Sequence, residues 1–216
     1  MAQPLRPVDI TRLVPAGPDA WTLYWKRDFE FQPGQVVALG IFSTGPQRLY
    51  SLASGCKDDE ASVLFNVAPE GWLTPQLQGV RPGHRIYASL PFGSFVGFPG
   101  PAVWIANGTG VAPYLSMALS GLTQDKMLIQ GARTRADFYG QEVLSELLGG
   151  GYTRCASSDS GEGLLSGRLT AYLDSRDWPG DRPYYLCGSA AMIVEARDIL
   201  IRRGVPFKNI LSEVYF

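Results

Sequence analysis

Apolar residues follow two different rhythms along the chain. In the first half they come in short runs dense in β-forming residues: Trp21-Thr22-Leu23-Tyr24-Trp25, Gln35-Val36-Val37-Ala38-Leu39, Arg48-Leu49-Tyr50-Ser51-Leu52, Val63-Leu64-Phe65-Asn66-Val67 and His84-Arg85-Ile86-Tyr87-Ala88-Ser89. Pro33-Gly34, Gly45-Pro46 and Pro82-Gly83 punctuate these runs as turns. Short strands at close spacing, broken by Gly and Pro, predict an antiparallel barrel or sandwich. A short helix is predicted near Gly71, where Thr74-Pro75 offers helix-start chemistry.

The second half alternates strands with helices. Val103-Trp104-Ile105-Ala106 predicts a buried strand, followed by a glycine turn and an apolar segment over 111–122. Met127-Leu128-Ile129-Gln130 is the next strand candidate, then a helix over 141–148 with Val143, Leu144, Leu147 and Leu148 on one face. Tyr184-Tyr185-Leu186-Cys187 precedes a helix over 190–203 that Gly204 terminates, and Ile210-Leu211 opens a last strand. Such alternation predicts a parallel, doubly wound sheet. The Gly- and Pro-rich stretch Phe95-Val96-Gly97-Phe98-Pro99-Gly100-Pro101 separates the patterns, giving expected domains at 1–98 and 99–216.

Composition narrows the chemistry. The 216 residues carry 19 Lys+Arg against 20 Asp+Glu, a balance that gives nucleic-acid binding no support. Cys56, Cys155 and Cys187 are too few and scattered for a disulfide framework or a four-Cys cluster. His84 is the only histidine, so zinc catalysis and histidine triads are not expected, nor is a metal site. The N-terminus lacks a signal-peptide core and no apolar run reaches the ~18 residues of a membrane span, so a soluble cytoplasmic protein is the expectation.

Four motifs carry candidate chemistry. Asn107-Gly108-Thr109-Gly110-Val111-Ala112-Pro113 follows a predicted strand; its glycines let backbone N–H groups approach a phosphate, though Pro113 replaces the usual third glycine. In Arg48-Leu49-Tyr50-Ser51, alternation sets Arg48 and Tyr50 on one face, a phosphate clamp beside a flat ring. Leu186-Cys187-Gly188-Ser189 ends a predicted parallel strand, where open sheets bind ligands. The chain closes with Glu213-Val214-Tyr215-Phe216, two aromatics that call for something to pack on. Each motif also has a bland explanation: an ordinary strand-to-helix turn, an amphipathic surface strand, a buried core thiol, and a tail resting on the protein's own core.

Taken in order, these motifs resemble the plant-type ferredoxin–NADP reductase superfamily, and most nearly its bacterial ferredoxin/flavodoxin–NADP reductases. Pro33-Gly34-Gln35 and Gly71-Trp72-Leu73-Thr74 fit the same pattern. The resemblance implies a Greek-key barrel carrying FAD, followed by an α/β domain binding NADP(H). It places Tyr50 on one flavin face and Ser51 near the flavin N5. Arg48 and Thr74, with the amides of the Gly71 turn, would hold the pyrophosphate. Leu49, Asn66, Val67, Trp72 and Leu73 join the flavin-binding set. Tyr215 covers the opposite flavin face and Phe216, one residue beyond the plant pattern, meets the adenine. Gly108, Thr109, Gly110, Pro113 and Gly188 belong to the pyridine-nucleotide site. Ser51, Cys187, Glu213 and Tyr215 form the catalytic group. Arg133 and Arg168, with Ser157, match 2′-phosphate positions; a further arginine is replaced by Ser158, and Asp159 beside it would repel a phosphate.

The implied activity is electron exchange between NADP(H) and a ferredoxin or flavodoxin, by hydride passage between nicotinamide and flavin. Lacking a four-Cys motif, the chain passes electrons to a separate carrier, which argues against a fused ferredoxin domain; a monomer is compatible with its size. The alternative is an NAD(P)H-dependent reductase component of an oxygenase, or a free-flavin reductase. A flavin- or nucleotide-binding module without turnover is the third reading.

Overall fold

The computed structural model describes residues 3–215, the Tyr215 side chain excepted. The chain divides into two compact units, Met1–Gly97 with Ala112–Ser120, and Phe98–Val111 with Gly121–Phe216.

The first unit is a six-stranded antiparallel barrel: β1 (Arg6–Pro15), β2 (Ala20–Lys26), β3 (Val36–Gly40), β4 (Arg48–Ser51), β5 (Glu60–Asn66) and β6 (Arg85–Ala88). Its strand order is β4-β3-β6-β1-β2-β5, with the crossovers of a Greek key. The end strands meet: Leu52, just past β4, bridges Val63 of β5, and the Ala53 N–H donates to the Ser62 carbonyl at 2.8 Å. Closure removes the free edges that would otherwise invite pairing with another chain. Alternation along β2 turns Leu23 and Trp25 into a core shared with Ile10, Val37, Leu39 and Phe65. The short helix α1 (Thr74–Gln78) drives Leu77 into the same core. Cutting a side chain buried like that back to alanine costs roughly 2–5 kcal/mol.

Helix α1 begins differently from the expectation. Thr74 is its first helical residue, after a Leu73 N-cap that makes no side-chain cap bond. The Thr74 hydroxyl instead accepts from the Ala68 N–H at 2.9 Å, tying the Gly71 turn together. Strand β1 had no sequence signal, because its Arg6-Pro7-Val8-Asp9-Ile10 alternation buries only Val8 and Ile10.

In the second unit a parallel sheet has the order β10-β9-β8-β7-β11-β12. Its elements are β7 (Ala102–Asn107), β8 (Lys126–Ala132), α3 (Gln141–Leu148), β9 (Tyr152–Ala156), β10 (Leu165–Ser166), α4 (Leu169–Asp174), β11 (Tyr184–Ser189), α5 (Ala190–Arg202) and β12 (Ile210–Tyr215). The 111–122 segment resolves into the end of a 3-10 turn (Gly108–Val111) and helix α2 (Ala112–Leu119), and α2 packs as part of the barrel unit. Helices α4 and α5 cover one sheet face, packing Leu173, Ile193 and Leu200 on Val103, Ile105, Ile129 and Leu186. Only Leu144 of α3 is buried; Leu147, assigned to the same apolar face, is exposed, so the stripe is narrower than its sequence. Strand β12 runs on to Tyr215 because each residue from Ile210 pairs with β11.

This order places a reversal in the sheet. From β7 the chain builds outward through β8, β9 and β10, then returns to lay β11 and β12 on β7's other side. The carboxyl ends of β7 and β11 therefore flank the topological switch point, where open α/β sheets bind ligands. Among the described residues no helix is long and apolar enough to cross a membrane.

Candidate functional site

On the barrel, the Arg48–Ser51 strand pairs with β3 so that Tyr50 faces Val37 and Arg48 faces Leu39. Arg48 and Tyr50 thus share one face of the strand, on which Tyr50 meets the core that holds Val37 and Leu39. Tyr50 packs half-buried against that core, its ring edge-on to Phe65 at 6.4 Å and 74°. Burial pushes its phenol up to about 12. Arg48 is exposed, its guanidinium donating to the neighbouring Gln47 carbonyl at 3.0 Å. On the opposite face Leu49 is 59% exposed while Ser51 is only 1% exposed, so the strand dips from solvent into the interior over three residues.

Around the Gly71 turn, Trp72 is exposed and Leu73 buried. A Cβ on Gly71 would lie 3.0 Å from the Ala68 carbonyl oxygen, which makes this a tight turn with little room for a side chain. Asn66 ends β5 opposite Ala20, and the Val67 N–H donates to the Asp19 carbonyl at 2.9 Å. An exposed guanidinium, a half-buried phenol ring and a tight glycine turn are the donor set that suits a planar ring system carrying a diphosphate.

The second unit builds its site from backbone. A Cβ on Gly110 would fall 2.4 Å from the Cys187 carbonyl oxygen, so the loop after β7 lies directly against the end of β11. Gly188 has φ +143°, and a Cβ there would meet the Asn107 Oδ1 at 1.9 Å. Asn107 closes this contact from both sides: its Oδ1 accepts from the Ser189 N–H at 2.9 Å and its Nδ2 donates to the Ser189 Oγ at 3.0 Å. Ser189 in turn caps α5. Sequence reading passed over the Asn107–Ser189 pair, although both residues lie inside quoted motifs. Thr109 lies in the 3-10 turn between the two glycines. Pro113 sits in the first turn of α2, where a missing N–H costs nothing, and is counted with the barrel.

Cys187 is fully buried and stands in register between Ala106 of β7 and Glu213 of β12. The structure thus brings Cys187 and Glu213 side by side on neighbouring strands. The Tyr215 side chain and Phe216 lie outside the described residues.

Beyond the switch point, the carboxyl edge of β8–β10 gathers Arg133, Ser157 and Arg168. Arg133 and Arg168 are exposed. Neither has an ion-pair partner among the described residues, whereas Arg6, Arg12, Arg27 and Arg85 on the barrel all do. Ser157 donates its N–H to the Ala132 carbonyl at 3.0 Å, holding the turn after β9 on β8. A separate groove of about 600 Å³ on the barrel is bordered by Arg12, Trp21, Pro75 and Arg81. Its arginines are already engaged, Arg12 by Glu60 and Arg81 by the Gly79 and Val80 carbonyls.

The chain thus combines a closed Greek-key barrel carrying an arginine–tyrosine strand with a doubly wound sheet carrying a glycine-lined switch point. In sequence and fold the chain is similar to members of the plant-type ferredoxin–NADP reductase superfamily. No protein-family model matches it. It is 30% identical over 205 residues to the reductase component, ferredoxin–NAD(P)(+), of a naphthalene 1,2-dioxygenase system from Pseudomonas putida, spanning 88% of this chain and 62% of that protein. It is 35% identical over 210 residues to the propane 2-monooxygenase reductase component of Mycolicibacterium smegmatis, spanning 87% and 60%. The chain therefore covers about three-fifths of the length of these relatives. Among solved structures, the Amycolatopsis cytochrome P450 reductase GcoB superposes with a TM-score of 0.82 at 26% identity, over 99% of this chain and 71% of that one. A ferredoxin NADP+ reductase from Neisseria gonorrhoeae, solved with FAD and NADP, shares the fold at a TM-score of 0.88 and 18% identity over 100% of both chains.

Proposed function

We propose that the chain is an FAD-dependent oxidoreductase that takes reducing equivalents from NADP(H) and delivers them to a ferredoxin or flavodoxin. The observation that carries this reading is the coexistence in one chain of the Arg48-Leu49-Tyr50-Ser51 strand and the glycine contact between the β7 and β11 loops. When bound, FAD would supply the redox chemistry that links a nicotinamide donor to an electron acceptor. The protein's part is to bind and orient. Arg48 and the Gly71 turn hold the diphosphate charge, with the Thr74 hydroxyl fixing that turn. Tyr50 gives the ring a flat apolar wall, and Ser51 offers a hydroxyl at its reactive edge. Gly110 and Gly188 let the loops after β7 and β11 close on each other, and Gly108, with open space beside it, is assigned to the approach of the nucleotide. Glu213, in register beside Cys187, would hold or release a proton near a bound flavin. Tyr215 and Phe216 are assigned to the isoalloxazine and adenine rings, respectively. Barrel unit and α/β unit are assigned to FAD and nucleotide in turn.

A second reading is favoured by one specific observation. The relatives at 30–35% identity bear the names of reductase components of oxygenase systems, and on this reading the acceptor is a component of such a system. Anaerobic mixing with NADPH or NADH, followed by offering the reduced protein different acceptors, separates the cases. Bleaching and then rapid reoxidation by ferredoxin or flavodoxin supports the first reading. Reoxidation confined to an oxygenase component supports the second. A protein that neither nucleotide bleaches contradicts both.

A further inference from the structure

Sequence reading sets Asp159 against a phosphate-bearing nucleotide, as a carboxylate in the wrong place. Its surroundings give it another task. Oδ2 accepts the Arg135 N–H at 3.0 Å and Oδ1 accepts the Ser160 N–H at 2.8 Å, so both oxygens are held by backbone donors. These amides, that of Arg135 first, keep the carboxyl below its usual range. Arg135 is itself fastened onward, its guanidinium donating to the Glu162 carbonyl at 3.2 Å. The Ser158 N–H donates to the Arg133 carbonyl at 2.9 Å, and the Gly167 N–H to the Ala156 carbonyl at 2.8 Å. The three segments that follow β8, β9 and β10 are thereby laced into one edge. Asp159, with the Arg135 guanidinium, is one of the side chains that pin the second segment to the first.

Two cations are left over on that edge. Arg133 follows β8 and Arg168 follows β10, both exposed and without a carboxylate partner among the described residues. A phosphate monoester carries about −1.5 to −2 charge and is bound best by planar guanidinium forks held in place beforehand. A long arginine on a loose loop must be ordered at the moment of binding, whereas one on a braced loop spends less of that entropy.

We propose that Asp159 is a positioning residue for nucleotide choice: by clamping the turn after β9 to the turn after β8, it holds Arg133 ready for a ribose 2′-phosphate, beside an Arg168 turn tied to β9 by the Gly167–Ala156 bond. The net effect of this carboxylate is to favour NADPH over NADH, the reverse of what its charge alone would do. The inference rests on the nucleotide-binding reading above.

The test is calorimetric titration of the full chain with 2′,5′-ADP and with 5′-ADP. The wild type binds 2′,5′-ADP more tightly. In Asp159→Ala that preference falls by roughly tenfold, through weaker 2′,5′-ADP binding, and Asp159→Asn, which keeps one acceptor oxygen, falls between. In turnover the NADPH KM rises while kcat holds. A preference that is unchanged or increased in the variants overturns the proposal, since charge repulsion then dominates. So does a selective loss of 5′-ADP, which marks Asp159 as a ribose ligand, or a wild type that binds both equally. If Asp159→Ala does not fold, the Asn variant decides on the same criteria. A wild type that binds neither ADP sinks the nucleotide reading itself, a result distinct from all of these.

Discussion

The two units present their site residues in opposite ways. On the barrel the candidate groups are side chains: an exposed arginine, a half-buried tyrosine and an exposed tryptophan over a tight turn. In the α/β unit the candidate groups are mostly backbone, made available by glycines whose missing Cβ atoms let two loops touch. The first arrangement can lose a contact and keep its shape. The second cannot gain an atom without moving. Affinity on the barrel should therefore be graded by substitution, and at the switch point an added atom should cost far more than a deleted one.

The largest effect is expected from Gly188→Ala. Its Cβ would stand 1.9 Å from Asn107 Oδ1 and 2.9 Å from the Asn107 carbonyl oxygen, at a φ that alanine rarely adopts. Overpacking and strain of about 1–3 kcal/mol lower the Tm by roughly 5 °C, and NAD(P)H-driven turnover falls more than about a hundredfold while FAD is retained. A variant with wild-type turnover would erase the contrast between the units. Next comes Arg48→Ala, which removes a charge-assisted contact and weakens FAD by roughly 30- to 100-fold in equilibrium dialysis. Binding of 2′,5′-ADP stays as in the wild type, because the α/β unit does not rely on this residue.

Asn107→Ala sharpens the comparison further. It deletes both bonds to Ser189 and so costs about 1–2 kcal/mol, read as a lower denaturant midpoint and about tenfold weaker nucleotide binding. The smallest effect at neutral pH belongs to Tyr50→Phe, which acts at the alkaline end. The folded pKa is raised to about 12 from an ordinary 10, so the neutral phenol favours the fold. Below pH 10 neither state loses the proton; as pH climbs from 10 towards 12 the unfolded chain ionises first and stability drops, on the order of 2 kcal/mol. In FAD-free protein, Tyr50→Phe should flatten that part of the midpoint-versus-pH curve. A curve that keeps its full slope would show that other groups govern it.

Local signals made much of this arrangement legible. Dense β-forming runs found five barrel strands, and strand–helix alternation found the parallel sheet. Glycines at the ends of β7 and β11 located the switch point. What sequence could not disclose were the partners across long separations. Asn107 and Ser189 are 82 residues apart, and Arg135 and Asp159 are 24 apart, so no periodicity links them. Strands β1 and β9 were missed because polar residues interrupt their apolar pattern: Arg154 sits half-buried in β9, spending its guanidinium on Gln141 at 3.0 Å. Helix α2 was recognised as an apolar segment, but nothing in its composition says that it packs with the barrel. For Asp159 the charge is visible in sequence, while the two amides that donate to it are not.

The account depends most on flavin being held by the barrel. The measurement that tests this directly is the visible absorbance spectrum of the purified chain, before and after anaerobic addition of NADPH. One FAD per chain, seen as a yellow protein that bleaches on addition of the nucleotide, is the predicted result. A colourless protein that stays colourless after incubation with excess FAD would contradict it.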